Sequence, residues 1–408
     1  MGMRTSVHRG IHTPPSVAVV STYPPTRCGI ATFSSALLAA LRTEDPARAL
    51  GVLALGAPVD RHAADSGARV IGSLAGGSER ELDRAAAALS VYDVVIIQHE
   101  YGIYPGADGA AVVGLLDRLN RAGCRVITVL HTVLEHPTPS QRTVLEQTIE
   151  RSSAAVVMAD VARTRLLDRY AVEAAKVQVI PHGSSVPTDV PPEQVGDHPT
   201  LLTWGLLGPG KGVEVAIDAL AHLRRLRPRY IVAGQTHPTV RKRHGEAYRD
   251  MLAARARDRG VADLVEFDDR YLDRPALTAL IRRCDVVVLP YESHEQVTSG
   301  VLVDAVACGR PVVATAFPHA VELLGRGAGL TVPHNDSAAL ASALHGVLAD
   351  PAVAARLRDT ARRIAPELSW SSVARRYGRL ARMLARPVPV VAPRGPAVAA
   401  APRPVRAS

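Results

Sequence analysis

The feature that most constrains this fold is a repeated alternation of short apolar runs with longer segments of helical periodicity. The runs are rich in β-branched residues and continuously apolar, which is typical of strands buried on both faces of a parallel sheet. In the first half we predict strands at VAVVS (17–21), DVVIIQ (93–98), RVITVL (125–130), AAVVM (154–158) and VQVI (177–180). Helical segments such as IATFSSALLAALR separate them, so this half is predicted to be a parallel α/β unit.

The alternation stops at residues 183–199 and then restarts. This segment, GSSVPTDVPPEQVGDHP, is rich in Pro, Ser and Gly without periodicity, and it predicts a linker. Further strands are predicted at TLLTW (200–204), YIVAG (230–234), LVEF (264–267), DVVVLP (285–290) and PVVAT (311–315). With 408 residues the chain also exceeds the usual size of one core. The sequence therefore predicts two doubly wound α/β units with a ligand cleft between them.

Composition narrows the classes of function. Aromatic residues make up only 4% of the chain, which argues against a base-stacking surface, and we expect no nucleic acid partner. The net charge of +9 lies partly in a Pro/Ala-rich tail, residues 387–408, that is predicted to be disordered. The cysteines show no metal or C-x-x-C spacing, and no apolar run reaches the length of a membrane span. We expect a cytoplasmic protein with a flexible N-terminus over residues 1–15.

The stretch GLLGPGKG, residues 205–212, nearly spells a phosphate-binding P-loop between a predicted strand and a predicted helix. Gly205, Gly210 and Lys211 fit the pattern G-x-x-x-x-G-K, but Gly212 stands where a Ser or Thr hydroxyl should bind Mg²⁺. Backbone N–H groups at a helix start, with a lysine beside them, suit a diphosphate. The missing hydroxyl counts against an NTPase, and a purely structural glycine turn is the alternative.

A second glycine-containing turn follows the strand that ends at Pro290, in LPYESHEQVTSGVLVDAVACGRPVVAT. Polar and acidic residues at a strand's carboxyl end suit a ligand rich in hydroxyl groups. The backbone N–H groups of four consecutive residues are predicted to hold phosphate oxygens: Thr298, Ser299, Gly300 and Val301. Asp304, one turn into the helix, is placed to meet a ribose diol. The alternative is simple helix capping by Thr298 or Ser299, with Asp304 favouring the helix dipole.

The pairing of G-x-x-x-x-x-K-G with an acidic loop, a helix and A-C-G-x-P-V-V-A-T resembles the retaining family-4 (group 1) glycosyltransferases. The resemblance covers residues 16–386 and includes STYPPTRCGIATF, VLHT, VIPHG and the late SW pair. A bacterial subgroup is more similar still, through IQHEYGIY, GQTHP, GEAYR and EQVTSG. The resemblance implies two Rossmann-like doubly wound domains that face each other across a cleft, the GT-B type. The expected parts are an acceptor-side domain (16–190), a donor-binding domain (191–368) and a closing helix (369–386).

The resemblance also assigns roles to residues. Lys211 matches the lysine that binds the donor diphosphate, Gly29 a glycine that lets the backbone approach the donor, and His131 a histidine near the reacting sugar. The family's two glutamates fall on Gln296, at the transferred sugar, and Asp304, at the ribose. The implied catalytic residues are His131, Lys211 and Gln296. The implied donor-binding residues are Gly29, Gly205, Gly210, Lys211, Glu295, Gln296, Thr298, Ser299, Gly300, Val301 and Asp304. The acceptor-binding residues are His99, Glu100 and His131.

The chain departs from the family pattern at two positions. Leu206 replaces an arginine of the diphosphate site, and Gln296 cannot carry the charge of the usual glutamate, so Glu295 is a second candidate. His99 and Glu100 either bind the acceptor or form a hydrogen-bonded structural pair. His237 in GQTHP either contacts the nucleotide or braces its loop.

The resemblance implies transfer of a hexose from a nucleoside diphosphate sugar to a hydroxyl acceptor with retained configuration. GDP-mannose and UDP-glucose are the expected donors, and the acceptor is a sugar, a lipid-linked group or another hydroxyl compound. We expect neither a metal nor a cofactor, and contact with a membrane surface is left open. The alternatives are a nucleotide-sugar-binding protein without turnover, and a P-loop NTPase.

Overall fold

The computed structural model describes residues 14–56, 66–185 and 198–385. Its first sheet has seven parallel strands in the order β3-β2-β1-β4-β5-β6-β7. The strands are β1 (Val17–Ser21), β2 (Leu50–Leu55), β3 (Arg69–Leu74), β4 (Val94–His99), β5 (Arg125–Leu130), β6 (Ala154–Val157) and β7 (Val177–Val179). The helices that connect them are α1 (Gly29–Glu44), α2 (Glu79–Leu89), α3 (Ala111–Arg121), α4 (Pro139–Glu150) and α5 (Asp160–Arg169).

The second sheet has six parallel strands in the order β10-β9-β8-β11-β12-β13. The strands are β8 (Thr200–Trp204), β9 (Arg229–Ala233), β10 (Val265–Asp268), β11 (Val286–Leu289), β12 (Val312–Thr315) and β13 (Gly329–Val332). The helices are α6 (Val213–His222), α7 (Pro238–His244), α8 (Ala247–Asp258), α9 (Arg274–Arg283), α10 (Gly300–Ala307), α11 (Pro318–Leu324), α12 (Ser337–Ala349), α13 (Pro351–Leu368) and α14 (Trp370–Ala385).

The two sheets confirm the prediction of two doubly wound parallel units. In each sheet the strand order reverses at the first strand, because β1 lies between β2 and β4, and β8 lies between β9 and β11. The reversal opens a crevice at the carboxyl ends of these strands, where ligands bind in such folds. The loops that carry the predicted site residues follow the carboxyl ends of β1, β4, β5, β8 and β11.

All the predicted strands are present, and β1, β5 and β8 have the predicted bounds. The strands β2, β3 and β13 were not predicted, since each contains a glycine, which weakens a strand pattern. The structure gives the reason in β2, where a Cβ on Gly51 would lie 2.5 Å from the Tyr92 hydroxyl oxygen. The glycine makes room for the Tyr92 ring, a contact that a local sequence pattern does not reveal.

The last helix returns to the first domain. Trp370, Val373 and Tyr377 of α14 are buried in the same apolar cluster as Phe33 and Leu37 of α1. The Ser184 N–H donates to the Leu368 carbonyl (2.7 Å), and the Trp370 N–H donates to the Ser184 carbonyl (3.0 Å). Because the connection after β7 and the start of α14 pair in this way, the second domain is tied to the first at both of its ends.

Several predicted segments fall outside the described residues. These are most of the flexible N-terminus, most of the linker and the whole Pro/Ala-rich tail. Within the described residues, no single helix has both the length and the apolar character needed to cross a membrane. Among the helices that the structure describes, one pair, α12 and α13 with a 94° bend between them, meets that test by length and composition.

A substitution at Gly183 tests the packing of α14 against the first domain. A Cβ at this position would lie 2.3 Å from the Trp370 ring, so Gly183→Ala should push the indole out of its cluster. We expect the free energy of unfolding to fall by about 1–3 kcal/mol, the usual cost of overpacking. In Gly346→Ala on α12 nothing lies within 4 Å of the new Cβ, and this control should be neutral or slightly stabilising. Urea unfolding compares the two variants, and equal stabilities would contradict the described packing.

Candidate active site

The loop between β8 and α6 is folded tightly against the loop that follows β11. Gly212 has φ of 64°, and a Cβ at this residue would lie only 1.7 Å from the Pro290 carbonyl oxygen. The Glu292 N–H donates to the Gly210 carbonyl oxygen at 3.0 Å. Position 212 therefore has no room for the Ser or Thr hydroxyl of a P-loop. The glycine turn brings the loop after β8 into contact with the loop after β11.

Lys211 is held beside the second loop by an aromatic ring. Its ammonium nitrogen lies 4.5 Å from the centre of the Tyr291 ring, a cation–π distance. Tyr291 is buried and stacks on Phe317 with 5.3 Å between ring centres. Within the described residues no carboxylate forms an ion pair with Lys211. The lysine charge is therefore available to an anionic ligand.

Ser299 caps the following helix, and its backbone amide already has a hydrogen-bond partner. Its Oγ accepts from the Leu302 N–H at 3.2 Å, and its own N–H donates to His319 Nδ1 at 2.9 Å. The capping alternative is therefore observed, and the phosphate contact of the Ser299 amide stays a prediction that would require this bond to His319 to break. Burial lowers the pKa of His319 to about 3, so its ring is neutral and can accept this hydrogen bond.

The other residues at the start of α10 remain candidates for binding the donor phosphates. The N–H groups of Gly300 and Val301 lie in the first helical turn, where no intrahelical acceptor exists. The Thr298 hydroxyl is buried, and it has no hydrogen-bond partner within the described residues. A buried hydroxyl without a partner is unfavourable unless a ligand or water satisfies it. Thr298 lies on the loop that Gly212 contacts, and Gly300 and Val301 begin the helix that follows it.

Gln296 and Glu295 point to different surroundings. The Gln296 side chain donates to the Thr298 carbonyl at 3.1 Å, and its backbone carbonyl accepts from the His319 N–H at 3.2 Å. The Glu295 carboxylate instead accepts from the Glu135 N–H of the first domain at 3.3 Å. Because the Glu295 carboxylate is engaged across the domain interface, Gln296 is the better candidate for a sugar contact.

Asp304 joins the two domains. Its Oδ1 accepts from the Ser184 hydroxyl at 2.6 Å, and its Oδ2 lies 3.6 Å from Arg274 Nη1. The side chain is 16% exposed, so a ligand would have to share it with these two partners. The ribose contact implied by the resemblance stays a prediction.

On the first domain, the start of α1 is open to a ligand. Gly29 is the first residue of this helix, and nothing lies within 4 Å of the position that its Cβ would occupy. The Sγ of Cys28 caps the helix by accepting from the Ala31 N–H at 3.4 Å. The space beside Gly29 is what close approach of a ligand to the backbone requires.

His131 is a neutral hydrogen-bonding group at the carboxyl end of β5. Its Nε2 lies 2.7 Å from the Gln98 amide oxygen, so Nε2 carries the proton and Nδ1 is an acceptor. Burial, together with His182 and His99, lowers the pKa of His131 to about 3. A neutral ring with a free acceptor nitrogen suits a contact to a sugar hydroxyl and does not suit proton donation.

His99 and Glu100 do not form the structural pair that was the alternative to acceptor binding. His99 is 1% exposed at the end of β4, and neither ring nitrogen has a hydrogen-bond partner in the described part of the chain. Glu100 accepts from the Tyr101 N–H at 3.0 Å and from the Thr132 hydroxyl. Burial raises the pKa of Glu100 and lowers the pKa of His99 to about 4. Their role at the acceptor stays a prediction.

The structure adds His182, which sequence reasoning missed, and shows what His237 contacts. His182, inside the VIPHG motif, lies close to the start of α10, because a Cβ on Gly300 would be 2.9 Å from its Nε2. Burial lowers the pKa of His182, and the nearby Asp304 opposes that shift. His237 caps α7 by accepting from the Thr239 N–H at 3.2 Å, so it braces its loop. The motifs marked both histidines, but only the fold shows what they contact.

The comparisons with known proteins agree with this geometry. Residues 198–350 match the family model described as "Glycosyl transferases group 1". The match lies in the second domain. D-inositol 3-phosphate glycosyltransferase of Jonesia denitrificans is 31% identical over 255 residues, which are 56% of this chain and 56% of the relative. The chain thus spans little more than half the length of this relative.

Solved structures share the fold of both domains. Anabaena HepE, crystallised with UDP and glucose, superimposes with a TM-score of 0.71 at 17% identity, covering 90% of this chain and 100% of HepE. Sucrose-phosphate synthase of Thermosynechococcus elongatus gives 0.72 at 19% identity, covering 90% of this chain and 99% of the synthase. These matches confirm the predicted fold, two Rossmann-like domains of the GT-B type.

Gly212 tests the contact between the two loops. Gly212→Ser would restore the P-loop pattern, but its Cβ would overlap the Pro290 carbonyl oxygen. We expect the free energy of unfolding to fall by about 2 kcal/mol or more and no Mg²⁺-dependent ATP hydrolysis to appear. Gly29→Ala, whose new Cβ meets no atom within 4 Å, is the control for stability. A stable Gly212→Ser variant that hydrolyses ATP would restore the NTPase interpretation.

The buried histidines predict a loss of stability in mild acid. The pKa of His99 is about 4 in the folded protein, against an ordinary value of 6.5, so between these values the unfolded chain binds more protons. The free energy of unfolding should therefore fall as the pH drops below 6.5. His99→Phe should reduce this fall by about 1 kcal/mol between about pH 7.5 and about pH 5.5. Urea unfolding at the two pH values measures it, with His244→Phe on the exposed face of α7 as control. An unchanged pH dependence in His99→Phe would contradict a buried neutral His99.

Proposed function

We propose that the protein transfers a hexose from a nucleoside diphosphate sugar to a hydroxyl acceptor with retention of configuration. The observation that carries the proposal is the Lys211 ammonium, which has no carboxylate partner in the described part of the chain. It lies beside the loop that leads to the first-turn amides of Gly300 and Val301. The charge and the amides are contributed from the ends of the neighbouring strands β8 and β11. A diphosphate is the group that such a pair of donors fits best.

Lys211 and the two amides would stabilise the negative charge that develops on the diphosphate as its bond to the sugar breaks. Fixed donors aimed at developing charge are usually the largest single contribution to catalysis. Because Leu206 stands where the family has an arginine, Lys211 carries more of this stabilisation here. Neither the loop after β8 nor the loop after β11 requires a metal ion for this role.

On the other side of the sugar, His131 would accept a hydrogen bond from a hydroxyl group through its unprotonated nitrogen. Gln296 would contact the transferred hexose. With no enzyme nucleophile assigned, the acceptor oxygen bonds to the anomeric carbon on the face that the diphosphate leaves. The acceptor's proton passes to the departing phosphate oxygen, which keeps protons and charge balanced.

The proposed donor is UDP-glucose first and GDP-mannose second. HepE was crystallised with UDP and glucose, which favours a uridine donor for a chain of the same fold. The acceptor is proposed to be a polyol or sugar hydroxyl, since the relative of Jonesia denitrificans is named for an inositol phosphate. Such substrates are soluble, and we propose that the protein acts in the cytoplasm.

Lys211→Ala tests the diphosphate assignment. We expect the variant to fold normally and turnover to fall by about 10²-fold or more, because a charge stabiliser is lost. The assay follows nucleotide release from UDP-glucose, GDP-mannose and ADP-glucose in excess EDTA. Lys242→Ala removes an exposed lysine of α7 and should leave turnover unchanged.

Ordinary turnover in Lys211→Ala would refute the diphosphate assignment. Two further outcomes would favour the alternatives. Binding of a sugar nucleotide without release, even with polyol and sugar acceptors present, would indicate a protein without catalysis. Activity that EDTA abolishes and Mg²⁺ restores, with ATP as substrate, would indicate an NTPase.

A further inference from the structure

The loop between β11 and α10, residues 290–299, is anchored in the first domain; we call it the donor loop. Val297 of this loop is 3% exposed and belongs to the apolar cluster of Leu130, Val133 and Leu145, which are first-domain residues. The loop that carries the proposed sugar contact is therefore packed into the core of the opposite domain. The following inference rests on the proposed function.

Arg165 of α5 is the polar part of this anchor. Its side chain is 8% exposed, and its Nη1 donates to the Glu295 carbonyl at 2.7 Å and to the Val133 carbonyl at 3.1 Å. Its Nε lies 2.8 Å from the Glu135 carboxylate. One buried guanidinium thus bonds to the donor loop and to the loop after β5 at the same time.

The two loops also bond to each other directly. The Glu135 N–H donates to the Glu295 carboxylate at 3.3 Å. Gln296 lies between the two anchored residues, Glu295 and Val297, and its carbonyl accepts from the His319 N–H at 3.2 Å. The backbone of Gln296 is therefore fixed by His319 at its carbonyl, by the Arg165 bond to Glu295 before it and by the burial of Val297 after it.

We propose that Arg165 is a positioning residue for sugar transfer. It holds the donor loop against the first domain, so that Gln296 and the first turn of α10 face the acceptor side. A planar guanidinium with several fixed donors can bridge two carbonyls and a carboxylate, whereas a lysine ammonium is a single point charge on a flexible stem. Arg165 contacts neither the diphosphate nor the sugar in this account, and it acts through the loop.

Kinetics separate positioning from binding. Arg165→Ala should lower kcat by about 10- to 100-fold, the cost of misplacing a reacting group, while the donor KM changes by less than about 3-fold. Arg165→Lys should recover part of the loss. Arg169→Ala is the matched control, because Arg169 lies one turn further along α5 and pairs with the same Glu135 but is 50% exposed and does not contact the donor loop. It should leave kcat within about 3-fold of the unmodified protein.

Hydrogen exchange of residues 290–299 gives a readout that does not depend on turnover. With UDP present, exchange in this segment should be at least about 10-fold faster in Arg165→Ala than in Arg169→Ala. Val297→Ala removes the apolar half of the anchor and should also raise the exchange rate of this segment. It replaces Arg165→Ala in the experiment if that variant does not fold. If the protein turns over no donor, the proposed function fails while the exchange result still tests the anchor. Equal exchange in the Arg165, Val297 and Arg169 variants, or equal kcat in Arg165→Ala and Arg169→Ala, would overturn the proposal.

Discussion

The close approach of Gly212 to the Pro290 carbonyl is the constraint on which the candidate site depends. The strand order places β8 next to β11, and only a residue without a side chain lets the loops beyond them touch. The contact sets Lys211 over the Tyr291 ring and directs the chain into the start of α10. The proposed phosphate site is thus formed jointly by the loop after β8 and the loop after β11. The same contact removes the position that a P-loop uses for its hydroxyl.

The histidines that the first domain contributes to the candidate site are neutral polar groups. His131, His99 and His182 all have lowered pKa values because burial disfavours the imidazolium form. These histidines therefore add no positive charge to the one that Lys211 carries. This division suits a reaction in which negative charge develops on one side of a sugar, while hydroxyl groups are held on the other side.

The domains are connected through side chains as well as through the chain itself. Arg165 reaches the donor loop, Asp304 accepts from Ser184, and the Glu322 carboxylate accepts from the Asp160 and Val161 N–H groups at the start of α5. Several residues of the proposed donor site therefore also hold the interface. We infer that substitutions at this interface act mainly by shifting the position of the donor loop. They do not remove the groups that are proposed to bind the donor.

Much of the fold was predictable because a buried parallel strand is a short continuous apolar run, as VAVVS and RVITVL are. The β2 strand was not predicted because its glycine makes room for Tyr92, a residue far along the chain. The glycine turn and Lys211 were found because they are contiguous. The sequence did not reveal the interaction of Ser299 with His319 or the bridge made by Arg165, since those partners meet only after folding. The sequence showed amides at a helix start but could not show which one was already bonded.

The most direct test of the account is a crystal structure of the protein with UDP, or with GDP if that nucleotide binds more tightly. We predict that the diphosphate lies between the Lys211 ammonium and the N–H groups of Gly300 and Val301, at hydrogen-bonding distances of about 2.7–3.2 Å. A diphosphate bound elsewhere, or one held through a cation while Lys211 stays on the Tyr291 ring, would contradict it.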